Sequence, residues 1–450
     1  MVWFSSESGN MLKRLRNISS TRFLGLGGTL ITALTILASG SIASVATLYH
    51  FTNTTDGAFP EAGLVLSSTG VLYGTTYQGG TSGWGTVFQM TPPATPGNPW
   101  TETVLYSFTG GNDGANPLGG LVIGKNNVLF GTTSQGGASG YGTAFALTPP
   151  ASGGAWTLTV LHSFAGGTDG ANPEAGLTLN SATNVLYGTT YYGGSSGFGT
   201  VFSLAPAGGG AWTEKVLYSF LGGADGANPQ SPLALNSTTK VLYGTTFAGG
   251  SLGWGTIFQL VPATGGVWTE SVLYTFTGGA DGGGPLAGVV IGKSNVLYGT
   301  TFWGGSSTGC PVGNYPLGCG TIFQLAPPAA PGGTWTQRVL YTFAGSPTDG
   351  ANPYQNLAAG AGGGLFGTTF SGGYTSFVCF GSYNGCGTAF QLKPPTTPGG
   401  AWTKVSLATF NGNNGGGPNG VILAPTGLLY GTTLVGGIRG GSGTVFLLAP

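Results

Sequence analysis

Short apolar runs recur along the chain at a nearly constant interval, each bounded by clusters of glycine, proline, asparagine and aspartate. The most regular is the phrase VLYGTT at 71–76, 185–190, 241–246 and 296–301, varied to VLFGTT at 128–133, GLFGTT at 364–369 and LLYGTT at 428–433. Between the glycines of these seven copies, Gly74, Gly131, Gly188, Gly244, Gly299, Gly367 and Gly431, the intervals are 57, 57, 56, 55, 68 and 64 residues. Runs of this length, rich in β-branched and aromatic residues, predict strands, and a repeat of this period predicts propeller blades or solenoid units. Between Trp100 and Thr148 the runs fall at 101–108, 120–123, 128–133 and 142–148. Four strands per unit is the content of a propeller blade, with a tight hairpin at 124–127 and a looser connection at Pro149, Pro150, Gly153 and Gly154.

The two ends of the pattern complement each other. TLYHF at 47–51 matches VLYSF at 104–108, the strand that follows the GTxF strand elsewhere, while the last run, GTVFLL at 443–448, is itself a GTxF strand. The expectation is an all-β, seven-bladed propeller over 47–450, in which the N-terminal strand completes the last blade and hides its edge.

Composition adjusts this picture in two places. Glycine accounts for 91 residues and charged side chains for only 5%, but the glycines fall mainly between apolar runs and read as turn punctuation rather than disorder. At the N-terminus, Lys13, Arg14, Arg16 and Arg22 precede an apolar run at 23–37, and Ser44 and Ala46 supply small residues for signal peptidase. Residues 1–46 therefore read as an export segment, with a retained membrane anchor as the competing reading and Met11 as an alternative start. Its removal takes away those four basic residues and Glu7, which leaves eight basic and eleven acidic residues and a net charge of −3. That balance excludes nucleic-acid binding, which needs a basic stripe, and suits an extracellular protein that meets neutral partners; a ring that closes on itself is expected to be monomeric.

The extended phrase VLYGTTxxGGxxGxGTVFxL, carried with small variations at 71–90 and 241–260, resembles the bacterial tandem-repeat family of choice-of-anchor GloVer-repeat proteins. The resemblance covers essentially the whole mature chain. It implies an exported protein and supplies no catalytic residues. Members commonly end in a surface-anchoring segment, whereas Pro450 follows the last repeat directly; release, or anchoring through the N-terminal segment, is implied instead.

Candidate chemistry lies in the loops. DGANP recurs at 113–117, 169–173, 225–229 and 349–353, with Asp56, Asp281 and Asn414 in looser copies. Asp and Asn oxygens lie close enough together to suggest calcium, but the spacing lacks the several acids of a calcium loop and reads better as an Asx-type turn. Directly after each proline the repeats diverge: Glu61, Leu118, Glu174, Gln230, Leu286, Tyr354 and Asn419. Glu61 and Glu174 are the one carboxylate pair among them, and they define the alternative function, a carbohydrate-active hydrolase or lyase. The loop after YGTT carries aromatics, most of which are expected to pack between blades. Trp303, Tyr192 and Tyr354 break the repeat and are the ligand candidates, joined by Tyr315 and Tyr383 in two enlarged loops. These loops also hold all four cysteines, expected to form local disulfides, Cys310 with Cys319 and Cys379 with Cys386, as the simplest of three pairings. A four-thiolate zinc site is the alternative. His50 and His162 sit on outer strands away from any expected triad or metal site, and no cofactor is expected. The preferred function is a non-enzymatic binding or scaffold propeller for a neutral glycan or a protein, with its functional sector over blades five and six.

Overall fold

The computed structural model describes residues 44–450 apart from 96, 308, 313–314, 317, 331, 348, 375–378, 380–384, 398 and 438–440, and gives only the backbone at 311, 312, 315 and 316. The chain forms seven four-stranded antiparallel sheets arranged as a β-propeller. In blade 1 the strands run from the axis outward as Val65–Leu66, Leu72–Thr76, Thr86–Thr91 and Thr101–Ser107. In blades 1 to 6 the innermost strands are shorter than the apolar runs predict. Inner segments of neighbouring blades converge there so closely that a Cβ on Gly119 would lie 2.6 Å from the backbone of Ala175, which leaves no room for a longer side-chain-bearing strand.

Blade 7 contains Gly416–Leu423, Leu429–Val435 and Thr444–Leu448. Its outermost strand is Ala46–His50, paired antiparallel with Thr444–Leu448 in the register Ala46 to Leu447 and His50 to Thr444. Blade 7 also reaches blade 1 near the axis. Thr432 Oγ1 donates to the Ala62 carbonyl at 2.8 Å and Asn419 Nδ2 to the Pro60 carbonyl at 2.6 Å.

The core is built between blades by two repeated aromatic contacts. The phenylalanine just beyond each outer strand packs against the phenylalanine of the next blade's GTxF strand, edge-on in Phe51 with Phe88 at 5.1 Å and Phe108 with Phe145 at 5.3 Å. Each tryptophan at the start of an outer strand packs against the YGTT aromatic of the preceding blade, as in Trp156 with Tyr73 at 6.1 Å and Trp212 with Phe130 at 5.7 Å. The YGTT glycine is required by the first contact, because a Cβ on Gly131 would lie 2.6 Å from Phe145 and 2.8 Å from Leu121.

Two disulfides close the enlarged loops: Cys310 to Cys319 and Cys379 to Cys386, with Cα atoms 5.1 and 5.2 Å apart. They fit an oxidising, extracellular environment. Among the described residues no helix is long and apolar enough to cross a membrane.

Candidate functional site

Both loops singled out above lie on one end of the ring. The alanine of each DGAN segment is bridged to the loop after YGTT, as in Ala115 with Gln135 and Ala171 with Tyr192. This bridging explains the recurrent wording of the repeat in structural terms. Asp113 accepts hydrogen bonds from the Thr109 backbone N–H at 2.8 Å and from the Tyr106 hydroxyl at 3.0 Å. Asn116 sits at φ 54° and donates to the Tyr77 carbonyl of the preceding blade at 2.9 Å. The aspartate therefore anchors its loop to the outer strand, and the asparagine ties adjacent blades together. The turn is of the expected Asx kind, but its second partner, a tyrosine seven residues upstream, lay beyond the local window in which such turns are read.

At the axis the fold gathers the divergent positions. Glu61, Leu118, Glu174, Gln230, Leu286 and Tyr354 line one cavity of about 60 Å³. Burial pushes the Glu61 carboxyl up to about 7. Burial, and then the charge of Glu61, does the same to Glu174, also to about 7. Tyr354 is pushed up to about 12 by burial and by the same two carboxylates. An adjoining apolar recess of about 170 Å³ is lined by Glu61, Leu286, Phe302, Tyr354, Phe370, Asn419 and Leu434. A cavity of about 60 Å³ has room for a few waters. It is far below the several hundred Å³ of a small-molecule site.

The loop face carries a second constellation, organised around one backbone position. Trp84, Tyr141, Phe198 and Trp254 occupy it in blades 1 to 4; Cys319, Cys386 and Ser442 occupy it in blades 5 to 7. In all seven blades its carbonyl accepts a backbone hydrogen bond from the next DGANP segment or its equivalent, such as Asn116 N–H to Trp84 at 2.9 Å and Asn352 N–H to Cys319 at 2.8 Å. Each aromatic lies flat against a glycine. A Cβ on Gly110 would fall 2.5–2.7 Å from three indole atoms of Trp84, and one on Gly222 would fall 2.4–2.6 Å from three ring atoms of Phe198. In blade 5 the disulfide takes the same seat, since a Cβ on Gly345 would meet both sulfurs of Cys310 and Cys319. Aromatic rings thus cover one arc of the face and disulfides the next. The rings stay partly open to solvent, at 43% for Trp84, 44% for Tyr141 and 40% for Phe198.

The ligand candidates separate accordingly. Tyr192 is half exposed and meets Tyr191 edge-on. Trp303 is half-buried among Phe247, Phe302 and Trp254, 6.3 Å from the last, and so continues the arc. Tyr354 belongs to the axial cavity instead, against Phe370 and Phe302. Tyr315 is placed by its backbone alone, in a two-residue strand paired with Val312, and Tyr383 lies outside the described residues. The residues that sequence reasoning passed over are the repeated aromatics themselves. Their recurrence suggested core packing; the signals that separate them are the glycine-flanked GxG setting, which Cys319 and Cys386 share, and the loss of the ring in blades 5 to 7, where the GTxF phenylalanine is kept.

The sequence matches the family described as the Gloeobacter/Verrucomicrobia repeat over residues 28–155, 94–312 and 236–450. No curated protein matches the sequence. Among solved structures, a putative oxidoreductase (glucose dehydrogenase) from Thermus thermophilus aligns at a TM-score of 0.40 and 17% identity, covering 74% of this chain and 96% of that one. The soluble aldose sugar dehydrogenase of Escherichia coli aligns at 0.41 and 14% identity, covering 91% and 99%. A puromycin-hydrolysing peptidase of Mycobacterium tuberculosis aligns at 0.41 and 10% identity, covering 87% of this chain and 61% of that one.

Proposed function

The chain belongs to the Gloeobacter/Verrucomicrobia repeat family, and from that premise we propose that it is an exported, non-enzymatic propeller that binds a neutral glycan across its loop face. The observation that carries this reading is the arc of Trp84, Tyr141, Phe198 and Trp254. Each ring is held on a glycine by a backbone locked to the next blade. Aromatic faces fixed before the ligand arrives stack on sugar rings with little loss of side-chain entropy. Trp303 continues the arc beside Trp254, and Tyr192 adds an exposed ring on the same face. The low charge of the surrounding loops favours an uncharged partner.

The competing hydrolase reading assigns acid and base roles to Glu61 and Glu174. Such a pair works when its environments push the two pKa values apart. Here burial raises both to about 7, in a cavity of about 60 Å³ that admits no sugar ring. These carboxyls are better understood as a half-buried pair lining the axial cavity.

A polysaccharide pull-down with the full chain tests the proposal. Replacing Trp84, Tyr141 and Phe198 together with alanine is expected to abolish retention, and Glu61→Gln with Glu174→Gln to leave it intact. Retention that survives the aromatic triple variant, or binding only to proteins, would overturn the glycan reading.

A further inference from the structure

We infer that His162, Asp169 and Glu214 form a binding site for a single divalent transition-metal ion of the Zn²⁺ class, bridging the outer edges of blades 2 and 3. Among the described residues they form the one group of three metal-ligating side chains, with donor atoms all within 4.8 Å of one another. His162 Nε2 lies 3.0 and 3.1 Å from the two Asp169 oxygens. Donors bound at about 2.0–2.2 Å around a tetrahedral ion stand a little over 3 Å apart. Small side-chain adjustments therefore bring all three onto one ion and leave a position for water. An imidazole with two carboxylates selects a borderline cation rather than Ca²⁺ or Mg²⁺.

The repeat itself supplies the comparison. Two residues after Trp100, Trp212 and Trp268, a glutamate faces the loop aspartate of the preceding connection: Glu102 faces Asp56, Glu214 faces Asp169 and Glu270 faces Asp225. In blade 6 the same position is Lys404, paired with Asp349. In all three glutamates Oε1 is buried without a hydrogen-bond partner, so the orphan oxygen is shared. Only beside Glu214 does a nitrogen donor join the two carboxyls. Tyr49 and Tyr218 occupy the equivalent position beside Glu102 and Glu270 and donate their hydroxyls to Asp56 and Asp225, whereas His162 replaces the phenol beside Glu214. The surroundings hold the ligands in place. The Ala165 backbone N–H donates to Asp169 Oδ2 at 2.6 Å, and Phe164 meets the His162 ring edge-on at 4.8 Å. Such outer-shell contacts orient metal ligands.

His162→Tyr recreates the tyrosine–aspartate pair of the neighbouring blades and so keeps the fold. Equilibrium dialysis of the full chain against Zn²⁺ alone is expected to show about one equivalent retained. Affinity should fall by about tenfold or more in His162→Tyr and in Glu214→Gln, and stay unchanged in the equivalently placed Glu270→Gln. Zn²⁺ should raise the thermal midpoint of the parent and of Glu270→Gln but not of the other two. No retention by the parent, or equal retention by His162→Tyr, would overturn the assignment; the second result would move the ion elsewhere, with His50 the remaining imidazole.

Discussion

Desolvation without a positive partner raises the pKa of a carboxyl, and it does so for five half-buried glutamates of this chain. Glu61, Glu102, Glu174, Glu214 and Glu270 are all pushed up to about 7, in each case first by burial. The folded state then binds more protons than the unfolded state between the ordinary glutamate pKa and about 7. Stability is full below that interval and is lost as pH rises through it. Asp56 and Asp349 shift the opposite way because hydrogen bonds, and for Asp349 also Lys404, favour their ionised forms. Their contribution disappears only in acid, below the glutamate window. The thermal midpoint is therefore expected to fall between about pH 5 and pH 8. Glu61→Gln should raise stability near pH 8 by about 1 kcal/mol and flatten the slope; a midpoint that climbs over this interval would contradict the assignment. At this scale the sequence was only partly legible. The variable position after each proline pointed to Glu61 and Glu174. The glutamates two residues past the tryptophans were invisible as partners, because each faces an aspartate 45 or 46 residues away along the chain.

At the scale of the element, strand positions followed from apolar periodicity, since every strand of the repeat keeps the same aromatic or β-branched residue against its neighbours. The glycines carried information that periodicity alone does not. Gly131 lies under Phe145 and Leu121 with no space for a methyl group, so Gly131→Ala is expected to cost about 1–3 kcal/mol, read as a lower denaturation midpoint at unchanged slope. Trp156 rests on Tyr73 across the blade boundary, and Trp156→Ala should cost about 3–5 kcal/mol. The loop face was harder to read. Trp84 and Phe145 both occupy recurrent aromatic positions, yet one is 43% exposed and the other fully buried; the glycine seat distinguishes them, as does the loss of the ring at the Trp84 position in blades 5 to 7. The disulfides stood out because all four cysteines fall in the two longest repeats.

For the whole molecule, the phase of the repeat mattered more than any residue in it. A unit read from Trp100 to Thr148 contains the outer strand of one blade and the three inner strands of the next. The seventh sheet accordingly takes Ala46–His50 as its outer strand. Phe51, just beyond that strand, is fully buried against Phe88 of blade 1. Phe51→Ala is expected to destabilise the domain by about 3–5 kcal/mol, as a core residue would and a frayed terminus would not.

The central claim is that this ring binds sugar without cleaving it. Size analysis of a polysaccharide retained by the chain, after prolonged incubation with it, tests the claim most directly. An unchanged length distribution is expected. Shorter fragments that appear with the parent chain and vanish with Glu174→Gln would contradict it.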